Sequence, residues 1–321
     1  MSPGAAHRVA AIDCGTNSIR LLVADVDPAT RAIHDVTRRM EVVRLGEGVD
    51  RTGRISDAAM ARALARCEEY AEDCHRLGVE RARFVATSAS RDASNAADFA
   101  AGVQGAFRDL DLSPEVVSGA EEAELSFLGA TGDLAAAGVP GPYLVVDVGG
   151  GSTELVRGTT HVEAARSVDM GCVRFTERHL HHDPPTSEEV AAALADVDAH
   201  LEEALATVPL AGVRTLVGVA GTVTTVAAHV LRLPHYDSGV IHLSQARAEE
   251  IGRACEDLVR MPREQIAALG FMHPGRVDVI AAGALLWGRV VERVVAAGAD
   301  PVVVVSERDI LDGVCLGLAA P

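Results

Sequence analysis

Apolar residues in this chain first alternate with polar ones in short runs, then recur at helical spacing, and then the whole succession starts again. Val9–Ile12, Ile19–Val26 and roughly Ala32–Leu45 read as an antiparallel meander, with Gly46-Glu47-Gly48 as the loop beyond it. Ser56-Asp57-Ala58-Ala59 opens a long amphipathic helix that reaches about Leu77 and ends at Gly78. Ala82–Ala86 predicts a short buried strand running into a turn, Thr87-Ser88-Ala89-Ser90-Arg91. Helical spacing over Ala96–Phe107, a short strand at Glu115-Val116-Val117 and a helix from Glu121 to about Leu128 close the first half. A softer stretch, Gly132–Pro142, is rich in Gly, Ala and Pro, and the meander resumes at Tyr143. A helix capped at Thr186-Ser187-Glu188-Glu189 runs to about Val208. The strand Thr215–Gly218 then leads into a further helix, and the buried strand Val302–Val305 follows near the end.

Two segments carry the repeat most clearly. Ile12-Asp13-Cys14-Gly15-Thr16-Asn17-Ser18-Ile19-Arg20 and Val146-Asp147-Val148-Gly149-Gly150-Gly151-Ser152-Thr153-Glu154 each end an apolar run in Asp. Each then turns through Gly and small hydroxyl residues and resumes as an apolar run. Such a hairpin tip leaves backbone N–H groups pointing outward, a nest for phosphate oxygens. The Asp before each turn is placed to hold a cation against those oxygens. An ordinary hairpin also wants Gly, so one copy carries little weight. Two copies half a chain apart suggest a duplicated α/β protein, and that duplication resembles the actin-like superfamily, which implies an actin-like ATPase (ribonuclease H-like) fold of two lobes with an inter-lobe cleft. The expected lobes are residues 1–131 and 132–321, with the last helix able to pack back on the first lobe.

Composition narrows the partners. A chain of 321 residues with 48% hydrophobic content can bury two cores. No apolar run approaches the ~18 residues of a membrane span. Met1 to Ala11 lacks the apolar core of a signal peptide. The expectation is a cytoplasmic protein with no membrane partner. A net charge of −17 argues against nucleic acid and leaves a small anion bound by local arginines and backbone dipoles. Every basic residue is Arg, so no lysine can serve as a P-loop or Schiff-base residue. The six cysteines have no Cys-x-x-Cys pair and read as reduced, buried thiols. His181-His182 lacks ligand-spaced neighbours and reads as a solvated loop.

Three further constellations carry chemistry. Glu121, Glu122 and Glu124 crowd the first turn of a helix, where the dipole favours acids. They are either a stabilised helix start or, beside a phosphate site, the source of a general base. Arg91, at the carboxyl end of a strand, either pairs with Asp92 on the surface or aims its fork at phosphate. Gly218-Val219-Ala220-Gly221-Thr222-Val223-Thr224-Thr225 is either a helix cap or another anion seat.

Taken in order, these segments resemble the exopolyphosphatase/guanosine pentaphosphate phosphohydrolase (Ppx/GppA) family. Ser118-Gly119-Ala120-Glu121-Glu122-Ala123 followed by Asp147-Val148-Gly149-Gly150-Gly151-Ser152-Thr153-Glu154 is the specific pair. Gly171-Cys172-Val173-Arg174 and Tyr236-Asp237-Ser238-Gly239-Val240-Ile241-His242 extend the likeness. The resemblance implies that Glu122 is the general base. It implies substrate contacts from Gly15, Thr16, Asn17, Ser18, Arg20 and Arg91 in the first half. In the second half they come from Gly149, Gly150, Gly151, Ser152, Thr153, Gly221 and Thr222. Asp147, Glu154 and Asp13 would hold Mg²⁺ (or Mn²⁺).

The implied reaction removes the terminal phosphate of inorganic polyphosphate, with short chains favoured, in a homodimeric enzyme. Guanosine pentaphosphate hydrolysis is the nearest alternative. Phosphotransfer to a nucleotide and a non-catalytic polyphosphate or alarmone sensor are the others. Two departures stand out. The chain stops at Pro321 without the helical domain of longer members. Leu311 stands where many relatives have an arginine, so any contact that arginine makes is either lost or supplied elsewhere, with Arg308 as the candidate.

Overall fold

The computed structural model describes residues 6–110, 112 and 114–319. The first residues of the stretch read for a leader, Met1–Ala5, and the terminal Pro321 lie outside them. The chain divides into two compact units. One runs to Gly129 and takes in the stretch from Ile310 onward; the other is Ala130–Asp309.

In the first unit β1 (His7–Cys14), β2 (Ser18–Val26) and β3 (Ile33–Val42) form the expected meander. A short helix missed in the sequence, α1 (Val49–Thr52), precedes α2 (Asp57–Arg76). Ser56 accepts the Ala59 N–H as the α2 cap, and Gly78 takes a left-handed φ of +69° beyond its end. Then come β4 (Arg81–Ala86), α3 (Ser88–Asp92), α4 (Ala96–Ala106), β5 (Glu115–Val116) and α5 (Gly119–Thr131). The segment expected as a turn after β4 is therefore a helical turn, α3. The sheet order is β3-β2-β1-β4-β5, with β1, β4 and β5 parallel.

Alternation along β1 decides what covers each face. Ala10, Ile12 and Cys14 join Phe84, Phe99 and Phe107 under α2 and α4. Phe84 meets the other two rings edge-on, at 6.3 and 6.0 Å between centroids. Val9 and Ala11 face the opposite way, against Leu125 of α5 and the last helix, α13 (Ile310–Leu318).

The second unit repeats the scheme. It contains β6 (Tyr143–Val148), β7 (Thr153–Gly158), β8 (Val162–Val168), α6 (Cys172–His179), α7 (Ser187–Thr207), β9 (Thr215–Val219) and α8 (Ala220–Val230). It continues through α9 (Ser238–Ile241), β10 (Gln245–Arg247), α10 (Ala248–Arg260), α11 (Arg263–Ala267), α12 (Ile280–Ala296) and β11 (Val302–Val305). Its sheet runs β10-β11-β9-β6-β7-β8. Reversed and without the edge strand β10, this is the first unit's order. The duplicated actin-like (ribonuclease H-like) fold expected from the sequence is the fold observed. No helix among the described residues is long and apolar enough to cross a membrane.

Two features tie α13 to the first unit. Arg38 of β3 holds the fully buried Asp312 with Nη2 at 2.7 Å and Nη1 at 3.2 Å. Gly313 lets α13 lie directly on α5, where a Cβ would fall 2.0 Å from the Leu125 carbonyl oxygen. Leu311 is core in this arrangement. Arg308, the candidate to supply the contact of the arginine that Leu311 replaces, is bound to Asp133 at 3.0 Å. All six cysteines are buried and unpaired, and burial pushes the thiols of Cys67, Cys74 and Cys255 up to about 12.

Because α13 rests on α5 through that backbone contact, Gly313→Ala forces the two helices apart. The expected cost is about 1–3 kcal/mol, as for other overpacked sites. A urea titration checks it: the midpoint falls, and an unchanged midpoint contradicts the close approach.

Candidate active site

Strand register brings the chemistry of each unit to one edge of its sheet. In the first unit Cys14 pairs with Ala86, and Ala86 with Val116. The loop after β1, α3 after β4 and the start of α5 after β5 therefore emerge side by side, at the carboxyl ends of parallel strands where α/β folds bind ligands. In the second unit Asp147 pairs with Val219, and the Ser306 N–H reaches the Gly218 carbonyl at 2.9 Å. Its loop 149–152 and the start of α8 share an edge in the same way.

The two glycine loops are built alike. Gly15 N–H donates to the Ser18 carbonyl at 3.0 Å, and Gly149 N–H to the Ser152 carbonyl at 3.0 Å. Around loop 149–152 the carbonyls are drawn to one side. Cys172 N–H donates to Gly149 O, Val173 N–H to Gly150 O at 2.8 Å, and Arg174 Nε to Gly151 O at 2.8 Å. A trans peptide is planar, so a carbonyl held on one side turns the next residue's N–H to the other. The amides of Gly150, Gly151 and Ser152 accordingly face away from α6 as an anion seat. The first loop uses the segment after β3 instead. Gly46 N–H takes the Thr16 carbonyl at 2.8 Å, and Val43 and Arg44 take that of Asn17 at 3.0 and 2.8 Å, which turns out the amides of Asn17 and Ser18.

Both clamps depend on a glycine whose role was not legible locally. A Cβ on Gly46 would lie 2.3 Å from Thr16 Cγ2, and one on Gly171 would lie 2.4 Å from the Gly150 carbonyl and the Gly151 nitrogen.

The residue seven positions after each Asp separates the two half-sites. Asp13 lies opposite Arg20 in register, and its Oδ2 accepts Arg20 Nε at 2.9 Å and Nη2 at 2.8 Å. Asp13, expected as a metal ligand, and Arg20, expected as a substrate contact, thus form an ion pair with each other. Asp147 lies opposite Glu154 instead, both buried, with Glu154 accepting the Ser167 hydroxyl at 2.7 Å. Like charges across a sheet repel, so this oxygen-donor pair suits a hard divalent cation, which often takes one or two carboxylates plus substrate oxygens. Among the described residues no group of three His, Cys, Asp or Glu side chains is placed to hold a metal ion, and within the second unit Asp147 and Glu154 stand as a pair.

The paired glutamates part company. Glu121 turns outward to Arg83, with its side chain 43% exposed. Glu122 is 12% exposed and accepts Arg91 Nη1 at 2.6 Å. Arg91 does not make the surface pair with Asp92 that the sequence left open. Its Nη1 also reaches the Val117 carbonyl at 3.0 Å, while its Nε and Nη2 have no protein acceptor among the described residues. A planar fork with two open donors matches the oxygens of a phosphate. Thr16 Oγ1 and Ser90 Oγ are buried without a hydrogen-bond partner among the described residues, a state that costs about 1–3 kcal/mol each until a ligand or water fills it.

Some expected contacts are structural. Thr153 donates its hydroxyl to the Met170 carbonyl and is fully buried, bracing the segment before α6. Thr222 is buried against Cys172 and Gly283, which leaves its backbone, not its side chain, for a ligand. At the start of α8, Ala220 holds a left-handed φ of +70°, strain of the kind that persists at functional turns. Gly221 makes room for Arg276, whose guanidinium a Cβ there would meet at 2.4 Å and whose Nη1 donates to Thr225 Oγ1 at 3.1 Å. Arg276 was missed because it lies far along the chain in a His-Pro-Gly turn, where nothing local marks it.

The model of the Ppx/GppA phosphatase family matches residues 22–310. Exopolyphosphatase 2 of Mycobacterium tuberculosis is 50% identical over 317 residues, covering 97% of this chain and 98% of that protein. A guanosine-5'-triphosphate,3'-diphosphate pyrophosphatase of Aeromonas salmonicida is 35% identical over 263 residues, 81% of this chain and 51% of its own. The crystal structure of an exopolyphosphatase-like protein superposes with a TM-score of 0.93 at 43% identity, over 97% of both chains.

The clamp on loop 149–152 gives a direct expectation. Gly171→Ala displaces that loop and weakens binding of tripolyphosphate by tenfold or more, measured by titration calorimetry, while the far-ultraviolet dichroism is unchanged. Unaltered affinity contradicts the assignment of the loop amides to the anion.

Proposed function

This chain belongs to the Ppx/GppA phosphatase family, and from that premise we propose that it hydrolyses the terminal phosphoanhydride of inorganic polyphosphate, releasing orthophosphate. The observation that carries the proposal is the Glu122–Arg91 pair: a shielded carboxylate beside a guanidinium with two open donors. Near-complete coverage of a protein named exopolyphosphatase supports the substrate class. Attack on a terminal phosphorus asks a protein for positioning, charge neutralisation and a base more than for covalent chemistry.

In this reading Arg91 and the amides of Asn17 and Ser18 take phosphate oxygens in the first unit, and the amides of Gly150, Gly151 and Ser152 are the anion seat of the second. Thr16 and Ser90 hydroxyls find their missing partners on the same oxygens or on ordered water. Glu122 accepts a proton from water as its oxygen bonds to the terminal phosphorus. The bridging oxygen leaves with the shortened chain. Asp147 and Glu154 would hold Mg²⁺ (or Mn²⁺), which neutralises phosphate charge when bound. The acidic chain as a whole does not oppose this, because the guanidinium and the turned-out amides make the field local. The same family reading carries a homodimer acting in the cytoplasm.

A second substrate is favoured by the likeness to a guanosine-5'-triphosphate,3'-diphosphate pyrophosphatase. Guanosine pentaphosphate presents the same terminal phosphoanhydride, and competition between the two substrates would rank them.

Phosphate release from tripolyphosphate and longer chains tests the proposal. Glu122→Gln is expected to lower the rate by about 10²–10⁴-fold, the usual contribution of a general base. Glu121→Gln is expected to stay within about threefold, because its partner is Arg83. Chelation of divalent ions abolishes release and added Mg²⁺ restores it. Equal losses in the two variants contradict the base assignment, and binding without turnover by the wild type replaces the hydrolase reading with a sensor.

A further inference from the structure

Of the ten Phe, Tyr and Trp rings in the chain, nine are buried and one, Tyr236, is 37% exposed. The ring is held from its polar end. Its hydroxyl donates to Glu307 Oε1 at 2.6 Å and lies 2.8 Å from Thr224 Oγ1. Glu307 is fixed in turn, its N–H reaching His242 Nδ1 at 3.3 Å. Asp237 caps the short helix α9 by accepting the Gly239 and Val240 N–H groups at 3.0 and 3.2 Å. Val240, at the next turn of the chain, is 49% exposed.

Both anchors of the ring belong to the sheet edge that carries loop 149–152. Thr224 lies near the start of α8, and Glu307 follows Ser306, whose N–H meets the Gly218 carbonyl near the end of β9. Beside Thr224, Thr225 Oγ1 accepts Arg276 Nη1 at 3.1 Å. The Nε and Nη2 of Arg276 have no protein acceptor among the described residues. An open guanidinium, turned-out amides and an exposed aromatic ring therefore share one edge.

Inorganic polyphosphate uses only part of this. It is oxygen on every side and gives an aromatic ring and an exposed valine nothing to cover. A nucleoside polyphosphate carries a flat base as well as phosphates, and bases stack on aromatic side chains. The carboxylate chooses among bases. Ionised Glu307 only accepts hydrogen bonds. Guanine offers two donors side by side, N1–H and the N2 amine, whereas adenine sets an acceptor beside its amine.

We infer that Tyr236 and Glu307 read the base of a guanosine polyphosphate. The ring stacks on guanine, and the carboxylate accepts from its N1–H and N2 amine. The inference rests on the guanosine pentaphosphate reading given above, and it names the residues that tell that substrate from inorganic polyphosphate.

Hydrolysis of guanosine pentaphosphate and of tripolyphosphate by the full chain tests it. GTP and ATP, as competitors of tripolyphosphate, add a readout that needs no nucleotide turnover. Tyr236→Leu is expected to lower the ratio of kcat/KM for guanosine pentaphosphate to that for tripolyphosphate by about tenfold or more. Tyr236→Phe, which keeps the ring, holds that ratio within about threefold. In the wild type GTP inhibits about tenfold or more strongly than ATP, and Glu307→Gln narrows the gap to about twofold. An unchanged ratio in Tyr236→Leu overturns the inference, as does an equal fall in Tyr236→Phe, since the ring is then not what the substrate meets. Equal inhibition by GTP and ATP in the wild type overturns it too. A wild type that cleaves tripolyphosphate but not guanosine pentaphosphate loses the second-substrate reading alone. GTP then decides the base site: its inhibition weakens about tenfold in Tyr236→Leu if the site is real, and an unchanged inhibition removes it. If the wild type releases no phosphate at all, calorimetric titration with GTP makes the same comparison.

Discussion

Everything at the glycine loops depends on where their carbonyl oxygens go. A backbone amide can serve an anion only if the peptide planes around it are held by their other side, because the two groups of one peptide point in opposite directions. In the second unit the first N–H groups of α6, which any helix must satisfy at its start, do this holding. One requirement therefore meets two needs: the loop caps the helix, and the helix orients the loop. The first unit reaches the same result with the chain after β3. In both the approach is close: a Cβ would meet the Thr16 side chain at Gly46 and the backbone of Gly150 and Gly151 at Gly171.

On that shared scaffold, one side chain per hairpin divides the labour. Arg20 neutralises Asp13, whereas Glu154 adds a second carboxylate beside Asp147. The duplication thus yields one Asp paired with a guanidinium and another set beside a second carboxylate. The carboxylate proposed as the base comes from neither hairpin. Glu122 enters on α5, which is anchored from beneath by α13 through Gly313 and held at the surface by Arg91. Packing and electrostatics fix the same residue from two directions, so its carboxylate is oriented before any ligand arrives.

What the sequence made legible was whatever is local and repeated. The two hairpins announce themselves by an Asp, a run of small residues and an apolar resumption, and the fold follows from their recurrence. Glu122 stood out as one of a pair, but the choice between Glu121 and Glu122 came from resemblance. In the structure it is a matter of which glutamate faces Arg91 and which faces Arg83. Hidden features were those that depend on distant contacts. Gly46 and Gly171 have no positive φ to mark them, and their importance lies in what passes beside them. Arg276 meets Gly221 across many residues of sequence. Thr153 and Thr222 carry hydroxyls suited to phosphate, yet the fold spends both on its own interior.

The central claim is that water, oriented by Glu122, attacks the terminal phosphorus. Hydrolysis of tripolyphosphate in ¹⁸O-enriched water, with the products resolved by mass spectrometry, tests it most directly. The account predicts one labelled oxygen in each released orthophosphate and none in the shortened chain after a single turnover. Label in the shortened chain, or release of unlabelled orthophosphate from the first turnover, would contradict it.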